Sequence, residues 1–181
     1  MNRRNVIKAA AGAVAAGGAG LLVLTNAFKP KIEFDNEPHE LDYKQEEGNW
    51  KYLQLDPVTT AELAYKYYPE GSCMYATIKS VVTQLAEKVG EPFISFPYHM
   101  FKYGHGGIAG YGTVCGALNG TAALLGLLIT DKSVRDKMIT DIFEWYEKEP
   151  LPAFNPQNPG NDYIPAQSIS NSVLCHASNT N

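Results

Sequence analysis

The sequence predicts an all-α fold, a small domain of about four helices with a glycine-rich loop and extended arms at both ends. Three observations carry that prediction. Apolar residues recur at three- and four-residue spacing in several stretches, capping and breaking residues bracket those stretches, and no alternation of period two runs long enough for a strand. The dipeptides of tight hairpin turns are also missing where strands would need them. A length of 181 residues suits one domain once an N-terminal segment is set aside, and 45% hydrophobic residues with 19% charged ones describe a globular chain. Eleven Tyr and seven Phe predict a substantial aromatic core.

The first segment, 1–27, reads as a targeting signal and not as part of the fold. Asn2-Arg3-Arg4-Asn5-Val6-Ile7-Lys8 pairs two arginines with two apolar residues and a lysine, the pattern of a twin-arginine address for folded export. The uncharged run Ala9 to Leu24 is 16 residues long and rich in Ala and Gly. That is short of the roughly 20 residues needed to span a bilayer as a helix. Cleavage after Ala27 is compatible with its small residues, and a membrane contact is expected only if the segment is retained. The expected location is therefore periplasmic or otherwise extracytoplasmic.

Residues 28–56 form a lead-in arm rich in Pro and charge, with no sustained period, and His39 within it is expected to be a solvated surface group. Residues 57–149 are the expected helical core. Asp56-Pro57 starts a short helix with Ala61, Leu63, Ala64, Tyr67 and Tyr68 on its apolar side, and Pro69 is expected to stop it. Ser72 caps a second helix from about Cys73 to Val89, where Tyr75, Ile78, Val82, Leu85 and Val89 recur, and Gly90 closes it. Phe93 to Phe101, with Pro97 inside, is expected to be an irregular aromatic wall. Tyr103 to Gly112 then holds five glycines in ten positions, which permits close approach of the backbone to another group. It lacks the phosphate-binding patterns GxxxxGK[ST] and GxGxxG in a strand-turn-helix setting, so nucleotide binding is excluded.

Thr113 to Ile129 is expected to be a buried helix whose Gly116 and Gly120, four apart, let another helix come close. Asp131 or Ser133 starts the fourth helix, with Val134, Met138, Ile142 and Trp145 on one side, and Glu149-Pro150 ends it. Residues 150–181 form a Pro/Asn/Ser-rich tail expected to wrap the domain. It finishes abruptly after the apolar Val173-Leu174-Cys175-His176, the ending expected of a truncated chain.

A net charge of −4 without a basic cluster beyond the signal excludes a nucleic-acid partner. No Gly-x-Ser-x-Gly elbow occurs, and Asp141, Glu144, Glu147 and Glu149 read as a solvated helix face, not as acid-base machinery. Candidate chemistry rests on Cys73, Cys115 and Cys175 in a protein bound for an oxidising compartment. No CxxC pair exists, so neither a dithiol motif nor a zinc knuckle is present. Cys73 at a helix start and Cys115 at the exit of the glycine loop fit two readings, activated thiolates or small buried hydrophobes. Among nitrogen donors His105 is placed first, inside the glycine loop. His176 follows, although in extended chain it and Cys175 would point apart, and His99 reads as a core or interface residue.

Gly71-Ser72-Cys73, the loop His105 to Gly112, and Cys115-Gly116-Ala117-Leu118-Asn119-Gly120 occur in an order that resembles the redox-active C-GCAxxG-C-C family. The signal, the long tail and Leu174-Cys175-His176-Ala177-Ser178 make the chain similar within it to the split-Soret cytochromes c, exported electron-transfer haem proteins that dimerise. Two departures stand out: the order is Cys-Gly-Ala where the family reads Gly-Cys-Ala, and Cys175 stands alone where two later cysteines are expected. Ser172 also occupies the place of the first cysteine of a CxxCH haem-attachment site, which leaves non-covalent or single-thioether haem or an iron-sulfur cluster as the iron cofactor.

The resemblance implies an exported electron carrier with a haem or iron-sulfur cofactor held among His105, Cys73, Cys115, Cys175 and His176, with His105 and Cys115 as metal ligands. It also implies a redox partner protein and a homo-oligomer. Two rivals remain: a thiol-disulfide enzyme that uses Cys73 and Cys115, which would need their sulfurs about 2 Å apart when oxidised, and a cofactor-free structural or partner-binding subunit.

Overall fold

The computed structural model describes residues 50–157 and 166–178. The signal segment, His39, most of the lead-in arm, and tail positions 158–165 and 179–181 lie outside the described residues.

The first element, α1 (Pro57–Val89), starts where Asp56 and Pro57 place it. The Asp56 carboxylate accepts a hydrogen bond from the Thr59 amide at 2.7 Å, and that bond holds the carboxyl below the usual carboxylate range. The helix is broken at Ser72, whose φ of 66° and ψ of −162° lie in a region that glycine favours. The break is a reversal. Gln84 Nε2 donates to Thr60 Oγ1 at 2.9 Å, although 24 residues of straight helix would separate them by about 36 Å. Two antiparallel limbs, 57–71 and 73–89, are therefore laid against one another. Lys79 clamps them near the bend, since its ammonium pairs with Glu70 and lies 4.0 Å from the centre of the Tyr67 ring.

The two expected helices are thus these limbs, with two differences. Pro69 lies inside the first limb, close to its end, and does not stop it. Ser72 makes the turn with its backbone and is no side-chain cap.

The second limb supplies the core. Met74, Ile78, Val82 and Leu85 are buried at helical spacing and pack with Phe93 and Leu124. The expected aromatic wall follows, closed by a 3₁₀ helix (Tyr98–Tyr103), and Trp50 meets Phe93 edge-on at 5.0 Å and Phe96 at 5.7 Å.

Helix α2 (Gly116–Leu128) crosses the second limb on its glycine face. A Cβ at Gly120 would lie 3.1 Å from Thr77 Cβ and 3.2 Å from the Met74 carbonyl oxygen, as the four-residue glycine spacing predicts. Helix α3 (Lys132–Lys148) is capped by Asp131, which accepts from the Val134 amide at 2.9 Å, and packs on α2. Its apolar face differs from the expected one. Ile139, Ile142, Phe143 and Tyr146 are half-buried, whereas Val134, Met138 and Trp145 are exposed. The inward stripe is rotated by about one residue because Tyr146, not Trp145, faces α2.

The described parts of the tail lie along the domain. The tail pairs with the body at two isolated antiparallel bridges, Leu151 with Ser168 and Val114 with Leu174, and ends in a short α4 (Cys175–Ser178). Among the described residues there is no strand beyond these bridges, and no helix is long and apolar enough to cross a membrane.

Candidate functional site

Three features of the fold draw Cys73, Cys115 and Cys175 into one region. Cys73 follows the Ser72 reversal and so begins the second limb. Cys115 occupies the N-cap of α2, and Gly116 beside it has no room for a side chain: a Cβ there would strike the Gly104 carbonyl oxygen and lie 3.0 Å from Cys73 Cβ. Cys175 arrives from the tail, whose pairing fixes its register. The Cys115 amide donates to the Val173 carbonyl at 2.8 Å and the Cys175 amide to the Thr113 carbonyl at 2.8 Å. Cys115 and Cys175 thereby stand diagonally across one antiparallel pair, on the same face.

The Tyr68 phenol lines the same cleft as Cys73 and Cys115. The charge of Cys73 is the largest influence on it, followed by burial, with smaller influences from the charges of Cys175 and Cys115. Together these push the Tyr68 hydroxyl above the usual phenol range. The contact depends on the reversal. In an unbroken helix, residues five apart lie roughly 140° from each other around the axis, and Tyr68 would face away from Cys73. On the other side, the Tyr146 hydroxyl of α3 donates to Cys115 Sγ at 3.7 Å. Cys115 and Cys175 are buried, Cys73 is half-buried, and none of the three is in a disulfide.

Cys73 and Cys115 open onto a cleft of about 510 Å³, within the range of small-molecule and cofactor sites. Tyr65, Tyr68 and several alanines of α1 form one wall, and Pro152, Phe154 and Pro156 of the tail cover the other. Gln157, just beyond, ties the tail to the first limb by donating its amide hydrogen to Glu62 at 3.0 Å.

The histidines are placed differently. His176 Nδ1 donates to the Gly112 carbonyl at 2.8 Å, which puts the acceptor lone pair of the neutral ring on Nε2. Gly112 has φ of 71°, and a Cβ there would meet His176 Cβ at 2.8 Å, so the loop needs glycine at that point to carry the ring. Cys175 is buried while His176 is exposed, so the two diverge as expected, although on a helical turn and not in extended chain. His105 lies exposed in the glycine loop, and its carbonyl accepts from the Gly110 amide at 2.9 Å. His99 is exposed in the 3₁₀ helix, contrary to a core position. Among the described residues, no three His, Cys, Asp or Glu side chains come together closely enough to hold a single metal ion.

Sequence reasoning missed both tyrosines. Tyr68 was legible only as a helix-face residue, and the one local signal was its place just before the break that precedes Cys73. Nothing near Tyr146 in sequence announces Cys115, because the α2/α3 crossing alone brings them together.

A family model described as "Putative redox-active protein (C_GCAxxG_C_C)" matches residues 75–181, more than half of the chain. The chain belongs to the C_GCAxxG_C_C family. It is also similar to the split-Soret cytochrome c of Desulfovibrio desulfuricans, with 35% identity over 185 aligned positions that cover 98% of this chain and 64% of that protein. A solved structure of the split-Soret cytochrome c from strain ATCC 27774, described for a novel iron centre, superposes with a TM-score of 0.65 at 39% identity, over 72% of this chain and 56% of that one. The all-helical fold of this C_GCAxxG_C_C member is thus shared with that relative, and the chain spans less than two thirds of the relative's length.

Proposed function

We propose that this C_GCAxxG_C_C protein is an exported electron carrier whose iron cofactor is held by Cys73, Cys115 and Cys175. The observation that carries the reading is that three separate elements bring cysteines together: Cys73 and Cys115 line one apolar cleft, and the pairing of 113–115 with 173–175 sets Cys175 beside Cys115. Thiolates are the ligands that iron-sulfur clusters take. Such a group supplies a one-electron couple when bound. The protein's own contribution is to hold the sulfurs in register, through the Gly116 contact and the 113–115 pairing with 173–175, and to cover the cleft with the Pro152 to Pro156 segment. The iron centre named for the relative supports the same reading.

One observation favours haem as a second reading. A metal-binding histidine usually donates its other ring N–H to a carbonyl or carboxylate, the arrangement His176 makes with Gly112. In that case His176 Nε2 is the ligand, His105 on the same loop is the second candidate, and Cys175 offers at most one thioether.

The deciding experiment is a visible spectrum, oxidised and then reduced with dithionite, with iron and acid-labile sulfide analysis of protein from its native host's exported fraction. A bleaching charge-transfer band with sulfide supports the cluster, and a Soret band supports haem. Colourless, iron-free protein overturns both and leaves the thiol-disulfide and structural readings. Export is tested by replacing Arg3 and Arg4 with Lys, which abolishes twin-arginine transport of the chain if 1–27 is its signal. Pairing with a redox partner and self-association belong to the same proposal; sedimentation of the purified protein tests the second.

A further inference from the structure

We propose that residues 152–157 form a hinged strap that selects by size what reaches Cys73, with the Glu62 carboxylate as its latch. The inference needs the cleft and its cysteines, and it holds whether or not iron occupies them.

The strap is one-sided. Pro152, Phe154 and Pro156 are half-buried and line the cleft, whereas Ala153, Asn155 and Gln157 are exposed, the alternation of an extended chain laid along a surface. Phe154 is its one large side chain. Across the cleft from it, Tyr65 and Tyr68 of the first limb are themselves exposed, so the strap narrows the mouth of the cleft without sealing it.

The two ends of the strap are held unequally. At the hinge end, Leu151 and Ser168 exchange backbone hydrogen bonds of 3.0 and 2.9 Å, and Gln167 Nε2 donates to the Pro152 carbonyl at 3.0 Å. At the far end, the Gln157 amide donates to Glu62 Oε1 at 3.0 Å. Among the described residues no other hydrogen bond joins 153–157 to the body, and Pro156 has no N–H to give. What remains between strap and cleft wall is apolar contact, which is non-directional. A segment with few bonded anchors opens at lower free energy than one with several. Loss of the latch therefore frees the far end while the hinge stays in place. A small group passes between Phe154 and the tyrosine wall with the strap down, and a bulky one reaches Cys73 only when the strap lifts.

The test uses the full chain as purified, with Glu62→Ala, Glu62→Gln and Phe154→Ala, and with Glu87→Ala as the control for removing an exposed carboxylate elsewhere on α1. Cys73 is alkylated with iodoacetamide and with a bulky pyrene maleimide, and its modification is followed by peptide mass spectrometry. The ratio of the two rates cancels any change in ionisation of the thiol. Glu62→Ala should raise the bulky-to-small ratio about fivefold, the worth of one ordinary hydrogen bond. Glu62→Gln, which keeps an acceptor oxygen, should fall between Ala and wild type, Phe154→Ala should raise the ratio with the latch intact, and Glu87→Ala should match wild type. If Cys73 carries iron in the purified protein, removal of the iron by chelators of two sizes takes the place of alkylation, and the same ratios are expected.

An unchanged ratio in both Glu62→Ala and Phe154→Ala overturns the strap. A rise confined to Phe154→Ala, or one matched by Glu87→Ala, overturns Glu62 as the latch. Amide hydrogen exchange gives a separate reading of the same bond: the Gln157 hydrogen should exchange faster in Glu62→Ala by the factor seen in the alkylation ratio, and unchanged exchange there also overturns the latch. None of these outcomes bears on whether the cysteines bind iron.

Discussion

Replacing Gly116 with Ala tests the geometry on which the site depends. A Cβ at this position points into the Gly104 carbonyl oxygen and lies 3.0 Å from Cys73 Cβ. Neither neighbour is a flexible side-chain tip: one is main chain and the other is anchored at the start of a helical limb. Relief requires α2 to slide away from the second limb of α1. Overpacking of a closely fitted crossing costs about 1–3 kcal/mol, and a clash with backbone belongs at the upper end. For a chain of this size each kcal/mol shifts Tm by roughly 2–4 °C, so the substitution should lower Tm by about 6–12 °C. Gly126 on the same helix is the control, since a Cβ there meets nothing within 4 Å. Gly126→Ala should gain about 0.5–1 kcal/mol from helix propensity. Thermal unfolding by circular dichroism, with iron content measured on the same samples, reads both effects. A Gly116→Ala protein that melts with wild type would refute the close approach of Cys73 and Cys115. A matched loss in Gly126→Ala would show that the cost arises from helix interior glycines in general and not from the crossing.

Three further outcomes follow from the fold. Ser72→Gly should raise the denaturant midpoint by a net gain of about 1 kcal/mol, because glycine relieves the positive φ and gives back part of the gain as unfolded-state entropy; urea titration measures it. Phe93→Ala should cost about 3–5 kcal/mol, since the ring is fully buried against Trp50 and the second limb. Glu70→Gln should make the protein less acid-sensitive. Hydrogen bonds from Lys79 and Tyr75 hold the Glu70 carboxyl below its ordinary value of 4.5, so its contribution is present above that pH and is lost as pH falls through the lower folded value. The stability difference between wild type and the variant should accordingly shrink below pH 4.5, and a constant difference across that range would count against the pairing.

Local chemistry was the legible part of this fold. Asp56 and Asp131 announce their helices because a cap acts within three residues, and the Gly116/Gly120 spacing announces a close crossing because one helix face records it. The period of Ile78, Val82 and Leu85 likewise marks the core. What stayed hidden depends on contacts between segments distant in sequence. Ser72 looks like an ordinary cap until the Thr60 to Gln84 bond shows that the chain doubles back there. On α3, Trp145 and Tyr146 are adjacent and both apolar enough to face inward, and only the position of Cys115 decides between them. At the site, the three cysteines were identifiable by type, but their convergence required the pairing of 113–115 with 173–175, which a two-residue contact leaves unmarked in composition. His105 was conspicuous for its glycine neighbours and His176 was not, yet His176 is the ring that the loop holds in place.

The split of the donors among three elements governs when the site can exist. Cys73 and Cys115 meet once the α1 hairpin and α2 have packed, but Cys175 joins only after the tail has crossed the domain and paired beside the glycine loop. No fragment that lacks the tail carries the set, and under the proposed assignment a bound group would report on completion of folding as well as reward it, since its binding energy counts only in the finished state. Under the proposed assignment, the group is taken up late, once the tail has paired.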